Sequence, residues 1–282
     1  MGIVVNTNSS STLVQRSLSS ATNQISKSLE RLSTGYKVNR AADDAAGLVI
    51  SQSLQSQARG ASQASANAQT GSNLLQTAEA DLGIIQDNLQ RIRDLTVQAS
   101  NGTYGTTERN AIYSEVQART EEIDRIAKSS SFNTIKLLDG SNTALNLQIG
   151  SNAAASLNSL SIGAPLGKAT SSSLGLGDTT AVSSSFATAT KAASFLSSID
   201  AAINSVSTRR SQIGSLQNRL DSAIKSLAVK QENMEASDSR VRDTDIAKEA
   251  ASLTKNQILQ QASASLLAQA NQQPQIALSL LR

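Results

Sequence analysis

Gly47, Ile50, Leu54, Gln57, Ala61, Ala64, Ala68, Gly71, Leu75, Ala78, Leu82, Ile85, Leu89, Ile92, Thr96 and Ala99 follow one another at alternating steps of three and four residues. That spacing keeps one narrow stripe of a helix turned towards a partner, which is coiled-coil geometry rather than the wider apolar face of a globular helix. At about 1.5 Å per residue the helix would run roughly 80 Å. The stripe is small from Ala61 to Gly71, inviting close backbone approach, and bulky from Leu75 to Ile92. A single stripe of this length cannot be buried alone, so a second must exist elsewhere in the chain.

It begins at Ala192 and runs through Leu196, Ile199, Ile203, Val206, Arg210, Ile213, Gln217, Leu220, Ile224, Leu227, Gln231 and Met234 at the same alternation. Because the chain must turn back between the two, they are expected to lie antiparallel, with Leu75, Leu82, Ile85 and Leu89 packing against Ile203, Ile213, Leu220 and Leu227. The reading is a mainly α fold, a long antiparallel coiled-coil helical rod with a small β-hairpin element.

Shorter amphipathic helices flank the pair. Leu18, Ala21, Ile25, Leu29 and Leu32 mark one, ended by Gly35. After the turn Ser100-Asn101-Gly102-Thr103-Tyr104-Gly105, Ile112, Val116, Arg119, Ile123 and Ile126 mark another, with Glu115–Arg119 and Glu121–Arg125 at i, i+4. Ile246, Ala250, Leu253, Ile258, Ala262, Leu266 and Ala270 mark a last helix that should stop before Pro274. Alternation at Leu145, Leu147 and Ile149 and at Leu160 and Ile162 predicts two short strands around Gly150-Ser151-Asn152. Residues 141–190 carry only Lys168 and Asp178 as charges and read as a polar surface loop, its Ser and Thr open to glycans.

Composition removes whole classes of function. The 282 residues contain no Cys, His or Trp and only three Tyr and three Phe. Thiol and imidazole catalysis, and the usual zinc and haem ligands, are therefore unavailable, and no cofactor is expected. Asp43 and Asp44 are adjacent and point to different sides of a helix, so they suit a helix start, where the dipole favours negative charge, better than a catalytic pair. Glu121, Glu122 and Asp124 read as a solvated face, not a metal site. A formal charge of +3 with scattered basic residues and few aromatics gives nucleic acid no surface. No run of about 20 apolar residues offers a membrane span. Met1–Asn6 lacks the basic start and apolar run of a secretory signal. An enzyme is not expected.

Ser28-Leu29-Glu30-Arg31-Leu32-Ser33-Thr34-Gly35 and Val38-Asn39-Arg40-Ala41-Ala42-Asp43-Asp44-Ala45-Ala46-Gly47-Leu48 resemble the amino-terminal signature of bacterial flagellin. Ala268-Gln269-Ala270-Asn271-Gln272-Gln273-Pro274-Gln275-Ile276-Ala277-Leu278-Ser279-Leu280-Leu281-Arg282 is similar to the carboxyl terminus of that family. The resemblance covers residues 1–140 and 195–282 and implies a short flagellin with a minimal middle. It implies an inner filament-core domain from 1–46 and 240–282, a rod domain from 47–140 and 191–239, and a β-hairpin with a variable region at 141–190. The terminal helices would pair in the assembled filament, a structural homopolymer used for swimming, secreted through the flagellar type III export route and located outside the cell.

Assembly contacts are then expected at Leu18, Ile25, Leu29, Leu32, Arg40, Asp43, Asp44, Ile246, Leu253, Leu266, Leu278 and Leu281. Partners implied are further copies of the chain, the export apparatus and an export chaperone, and the filament cap and hook-associated junction proteins. Leu89–Gln98 also resembles the segment bound by a host Toll-like receptor, with Arg91, Leu95 and Glu115 at its contact positions. A hook–filament junction protein, or a helical receptor ligand or adhesin, are the alternative readings.

Overall fold

The computed structural model describes residues 8–141, 144–150, 158–177 and 179–280, without the side chains of 179–181 and 273–280. Six α-helices occur among the described residues: α1 (Ser9–Thr34), α2 (Ala45–Ala99), α3 (Thr106–Ser129), α4 (Thr179–Ser185), α5 (Ala189–Arg242) and α6 (Ile246–Leu280). Two antiparallel hairpins stand between α3 and α4: β1 (Ser131–Phe132) with β2 (Ile135–Lys136), and β3 (Asn146–Gln148) with β4 (Ser159–Ser161). The described chain divides into two compact units. One joins the chain up to Ser56 with the chain from Asn233 onward, and the other is Gln57–Glu232.

In the Gln57–Glu232 unit, α2 and α5 run antiparallel. Their polar contacts prove the direction, since Arg93 meets Asp200 at 2.7 Å, Gln86 accepts from Arg210 at 2.7 Å and Glu79 accepts from Gln217 at 3.2 Å. Between them Leu75, Leu82, Ile85, Leu89, Ile92, Ile199, Val206, Ile213 and Leu220 are fully enclosed, and Ala61 and Ala64 close separately on Leu227. Ile203 is partly buried against the same core. The inward residues of α5 include Phe195, Ala202 and Leu216, each one place before the expected Leu196, Ile203 and Gln217. The cause is a third layer: α3 and the middle segment also pack on this core, so α5 buries a broader face than one seam.

Residues 141–190, expected as a polar surface loop, are corrected in their described part. Leu160, Ile162, Leu166, Ala169, Leu174, Leu176, Val182 and Phe186 all join the core, and Thr170 and Ser171 are buried with them. Asp124 anchors the segment by accepting the Ser171 N–H at 2.7 Å. Arg209 of α5 donates to the carbonyls of Gly167 and Lys168 at 2.8 and 2.9 Å. Phe186 stacks edge-on to Phe195 with centroids 5.9 Å apart and lies 6.1 Å from Tyr113. Three of the few aromatic rings thus make a single cluster.

The expected strands form, with Leu147 opposite Leu160; Ser151 and Asn152, placed at their connection, lie outside the described residues. The β1–β2 hairpin is an addition. Asn133 and Thr134 both take positive φ, at 45° and 69°, the condition for a two-residue hairpin turn whose twist matches its strands. On α3, Thr120 rather than Arg119 is buried, and the charge pairs differ from those expected. Glu115 reaches across to Arg91 of α2 at 2.9 Å, and Arg125 binds Glu122 at 2.6 Å.

Candidate assembly surface of the terminal helices

Within the terminal unit, α1 and α6 pack lengthwise and antiparallel. The α1 side chains turned towards α6 are Val14, Leu18, Ala21, Ile25, Ser28 and Leu32, and their counterparts are Glu249, Leu253, Asn256, Gln260, Ser263, Leu267 and Ala270. Both sets alternate steps of three and four residues, as a seam requires. This seam is small and partly polar. Ser28 Oγ donates to Glu249 Oε1 at 2.6 Å, Arg31 lies 3.5 Å from the other carboxylate oxygen, and Gln260 donates to Thr22 at 3.2 Å.

The entrance to each helix is fixed by local chemistry. Asn8 caps α1, its Oδ1 accepting from the Ser11 N–H at 3.0 Å. Gly35 ends α1 in the left-handed conformation, φ 76°, returning its N–H to the Arg31 carbonyl. The chain leaving α1 then pairs with the chain entering α6: the Lys37 N–H donates to the Arg242 carbonyl at 2.7 Å, the Thr244 N–H to the Gly35 carbonyl at 2.9 Å, and the Arg242 guanidinium sits 4.0 Å above the Tyr36 ring. Asp245 caps α6 through the Lys248 N–H.

Between α1 and α2, Asp44 accepts the Gly47 N–H at 2.9 Å, capping α2. Asp43 holds the loop itself, pairing with Lys27 at 2.8 Å and accepting the N–H groups of Asn39 and Arg40. The Lys27 ammonium and the Arg40 amide, with that of Asn39, outweigh desolvation and pull its carboxyl down to about 2. Arg40 binds Glu30 at 2.9 Å.

Helix α6 does not stop before Pro274 but continues to Leu280. Proline has no N–H to give the carbonyl four residues back, which is that of Ala270. Asn8 Nδ2 supplies the missing donor, reaching the Ala270 carbonyl at 2.7 Å.

Among the mostly polar side chains that the helix pair leaves outside stand several large aliphatic ones. Leu29 is 52% exposed and Ile246 64%, with Leu13, Ile258, Leu259 and Leu266 in the same state, and Val49 and Ile50 on the first turns of α2 join them. Of the residues expected at assembly contacts, Leu29, Ile246 and Leu266 face outward, whereas Leu18, Ile25, Leu32 and Leu253 are half-buried in the seam. Leu281 and the side chain of Leu278 lie outside the described residues. Ile50, expected in the long seam, yields its place to Ser51, which is buried. Ser28, Glu249 and Asn8 escaped hydrophobic pattern reading; the three-and-four spacing through Ser28 and Glu249, and an Asn directly before a helix, were the signals that could have found them.

In the other unit, Arg91 and Glu115 are exposed and paired, while Leu95 is 3% exposed. Among the described residues no group of three acidic side chains converges on a metal position, and no helix is long and apolar enough to cross a membrane.

The description "Bacterial flagellin N-terminal helical region" matches residues 5–143, and "Bacterial flagellin C-terminal helical region" matches residues 196–281. The chain is 42% identical to a flagellin of Halalkalibacterium halodurans, covering 99% of this chain and 100% of that one. It is also 42% identical to a flagellin of Bacillus subtilis, covering 94% and 95%. In fold it is similar to a putative flagellar hook-associated protein from Vibrio parahaemolyticus, with a TM-score of 0.60 at 14% identity over 71% of this chain and 100% of that one. Matched at both ends and over its whole length, the chain belongs to the bacterial flagellin family and is a structural subunit of the flagellar filament.

Proposed function

We propose that this subunit polymerises through the outward face of its α1–α6 pair. The observation that carries the reading is the two-sided character of α6: Glu249–Ala270 turn one side to α1, and Ile258, Leu259 and Leu266 stand exposed away from it. A helix that packs along one side and still exposes large aliphatic side chains on the other has a second partner to bury against. The filament-forming family supplies the partner, further copies of the same chain, and α1 with Leu13 and Leu29 extends the surface. Arg40, Asp43 and Asp44 support assembly from within the subunit, by holding the α1–α2 loop.

The test is Leu266→Glu. Its charge falls on the outward side, so the circular dichroism and melting of the full chain should stay as in the parent while sedimentable polymer is lost. Polymerisation at the parental level overturns the reading. Leu75, Leu82, Ile85, Leu89, Ile203, Ile213, Leu220 and Leu227 serve packing inside the subunit.

Export through the flagellar route with a chaperone, and junctions with cap and hook-associated proteins, accompany this function by family. A Toll-like receptor contact would engage the exposed Arg91 and Glu115; Leu95 would contribute only after the α2–α3 packing opens. Nothing in the chain's chemistry supports an enzyme, since it lacks His and Cys altogether.

A further inference from the structure

The α1–α6 seam presents a problem of register. Leu18, Ile25 and Leu32 recur at heptad spacing along α1, so the aliphatic contacts are non-directional, and after a slide by seven residues Leu253 would still meet Leu18 or Leu32. Besides the backbone pairing of Lys37 with Arg242 and of Thr244 with Gly35 at the base, two polar fixtures in the body of the seam bury groups that a slide would leave unpaired. Glu249 is 9% exposed and Ser28 2%, so a slide would strand the carboxylate against Ala21 and Ile25 or against the chain beyond Leu32. At the far end Pro274 leaves the Ala270 carbonyl without its helical donor, and Ala270 is 8% exposed. Only the aligned register brings Asn8 Nδ2 to it. An unpaired buried carboxylate or carbonyl is expensive, whereas the aligned pair satisfies both.

We propose that Pro274 with Asn8, and Glu249 with Ser28 and Arg31, form a two-point register lock for the terminal helix pair. They are positioning residues for assembly: they set how far Leu29 on α1 is offset from Ile258 and Leu266 on α6, and so the pattern a neighbouring copy meets. The proline, normally a helix breaker, acts here by creating an acceptor that only one alignment can satisfy. This rests on the α1–α6 assembly reading, but its own readout is the alignment of two helices within one chain.

The parent has no cysteine, so engineered thiols are the only ones present. Thr22→Cys with Gln260→Cys reports the aligned register. Thr22→Cys with Leu267→Cys, or with Leu253→Cys, reports a slide of one heptad. Each pair is placed in the full-length chain, and a short bismaleimide is applied to soluble and sedimented protein alike. In the parent and in Glu249→Gln, which keeps an acceptor for Ser28, only the aligned pair should cross-link. In Glu249→Leu the slid product should rise, and Glu249→Leu with Pro274→Ala should raise it at least about tenfold over the parent. Pro274→Ala improves intrinsic helix propensity, so a role limited to helix stability predicts the opposite.

The aligned product alone in the double variant overturns the lock. Absence of both products also overturns it, because the remaining seam should still associate. Leu266→Glu alters polymer without altering the cross-link, so failure of the lock and failure of the assembly reading are separable.

Discussion

Asp43 shows how one carboxylate can hold a loop that has a single buried aliphatic anchor, Val38. Its neighbours are Lys27 on α1 and the amides of Asn39 and Arg40, all of which favour the ionised form and lower its titration from the ordinary 3.8 to about 2. A carboxyl depressed in the folded state contributes stability that is fully present above its unfolded value and is lost as pH falls through the folded one. The α1–α2 loop should therefore loosen between about pH 4 and pH 2. Amide exchange at Asn39 and Arg40 followed by NMR would report it as protection relative to the intrinsic rate at each pH, with protection falling across that window in the parent. In Asp43→Asn protection should already be low at neutral pH and unchanged with acid. Equal profiles in the two proteins would remove Asp43 from this role.

At the scale of elements, the places where pattern and structure part company share a cause. Hydrophobicity favoured Leu29 where spacing favoured Ser28, and Ile258 where it favoured Gln260; the seam took the spacing, and the large apolar residues went outside. The long helices, Gly35, the turn after Ala99 and the β3–β4 pairing were legible because each has a local signal. The middle segment was not, because its low charge looked like surface although its scattered Leu, Val and Phe belong to a core assembled from distant elements. That core makes two predictions. Phe186→Ala should lower stability in denaturant by about 3–5 kcal/mol, a core-sized loss from a region that reads as loop. Gly71 lies under β3, where an added Cβ would come 2.3 Å from Leu147 Cδ2. Gly71→Ala should thus push the Leu147 side chain aside and forfeit much of the gain of about 1 kcal/mol that Ala brings to a helix interior, a gain that should reappear when Gly71→Ala is made in a Leu147→Ala background.

For the whole molecule, the division of labour between its surfaces decides what drives the polymer. The net charge of +3 comes from nearly balanced sets of 25 basic and 22 acidic residues, so charge neither strongly opposes nor drives association of copies. On the proposed assembly reading, exposed aliphatic side chains on α1 and α6 do, and their burial would have the entropic signature of apolar transfer near room temperature. The critical concentration for polymer should consequently fall on modest warming and fall on adding sulfate, which is excluded from protein surface, while moderate sodium chloride should change it little. Burying one aliphatic side chain is worth about 1.5–3 kcal/mol, so Ile258→Ser should raise the critical concentration roughly ten- to hundredfold. Pelleting assays across temperature and salt would measure all of these. A critical concentration governed instead by sodium chloride would transfer the driving force to charged contacts between copies, and would leave the apolar face of α6 without the part assigned to it.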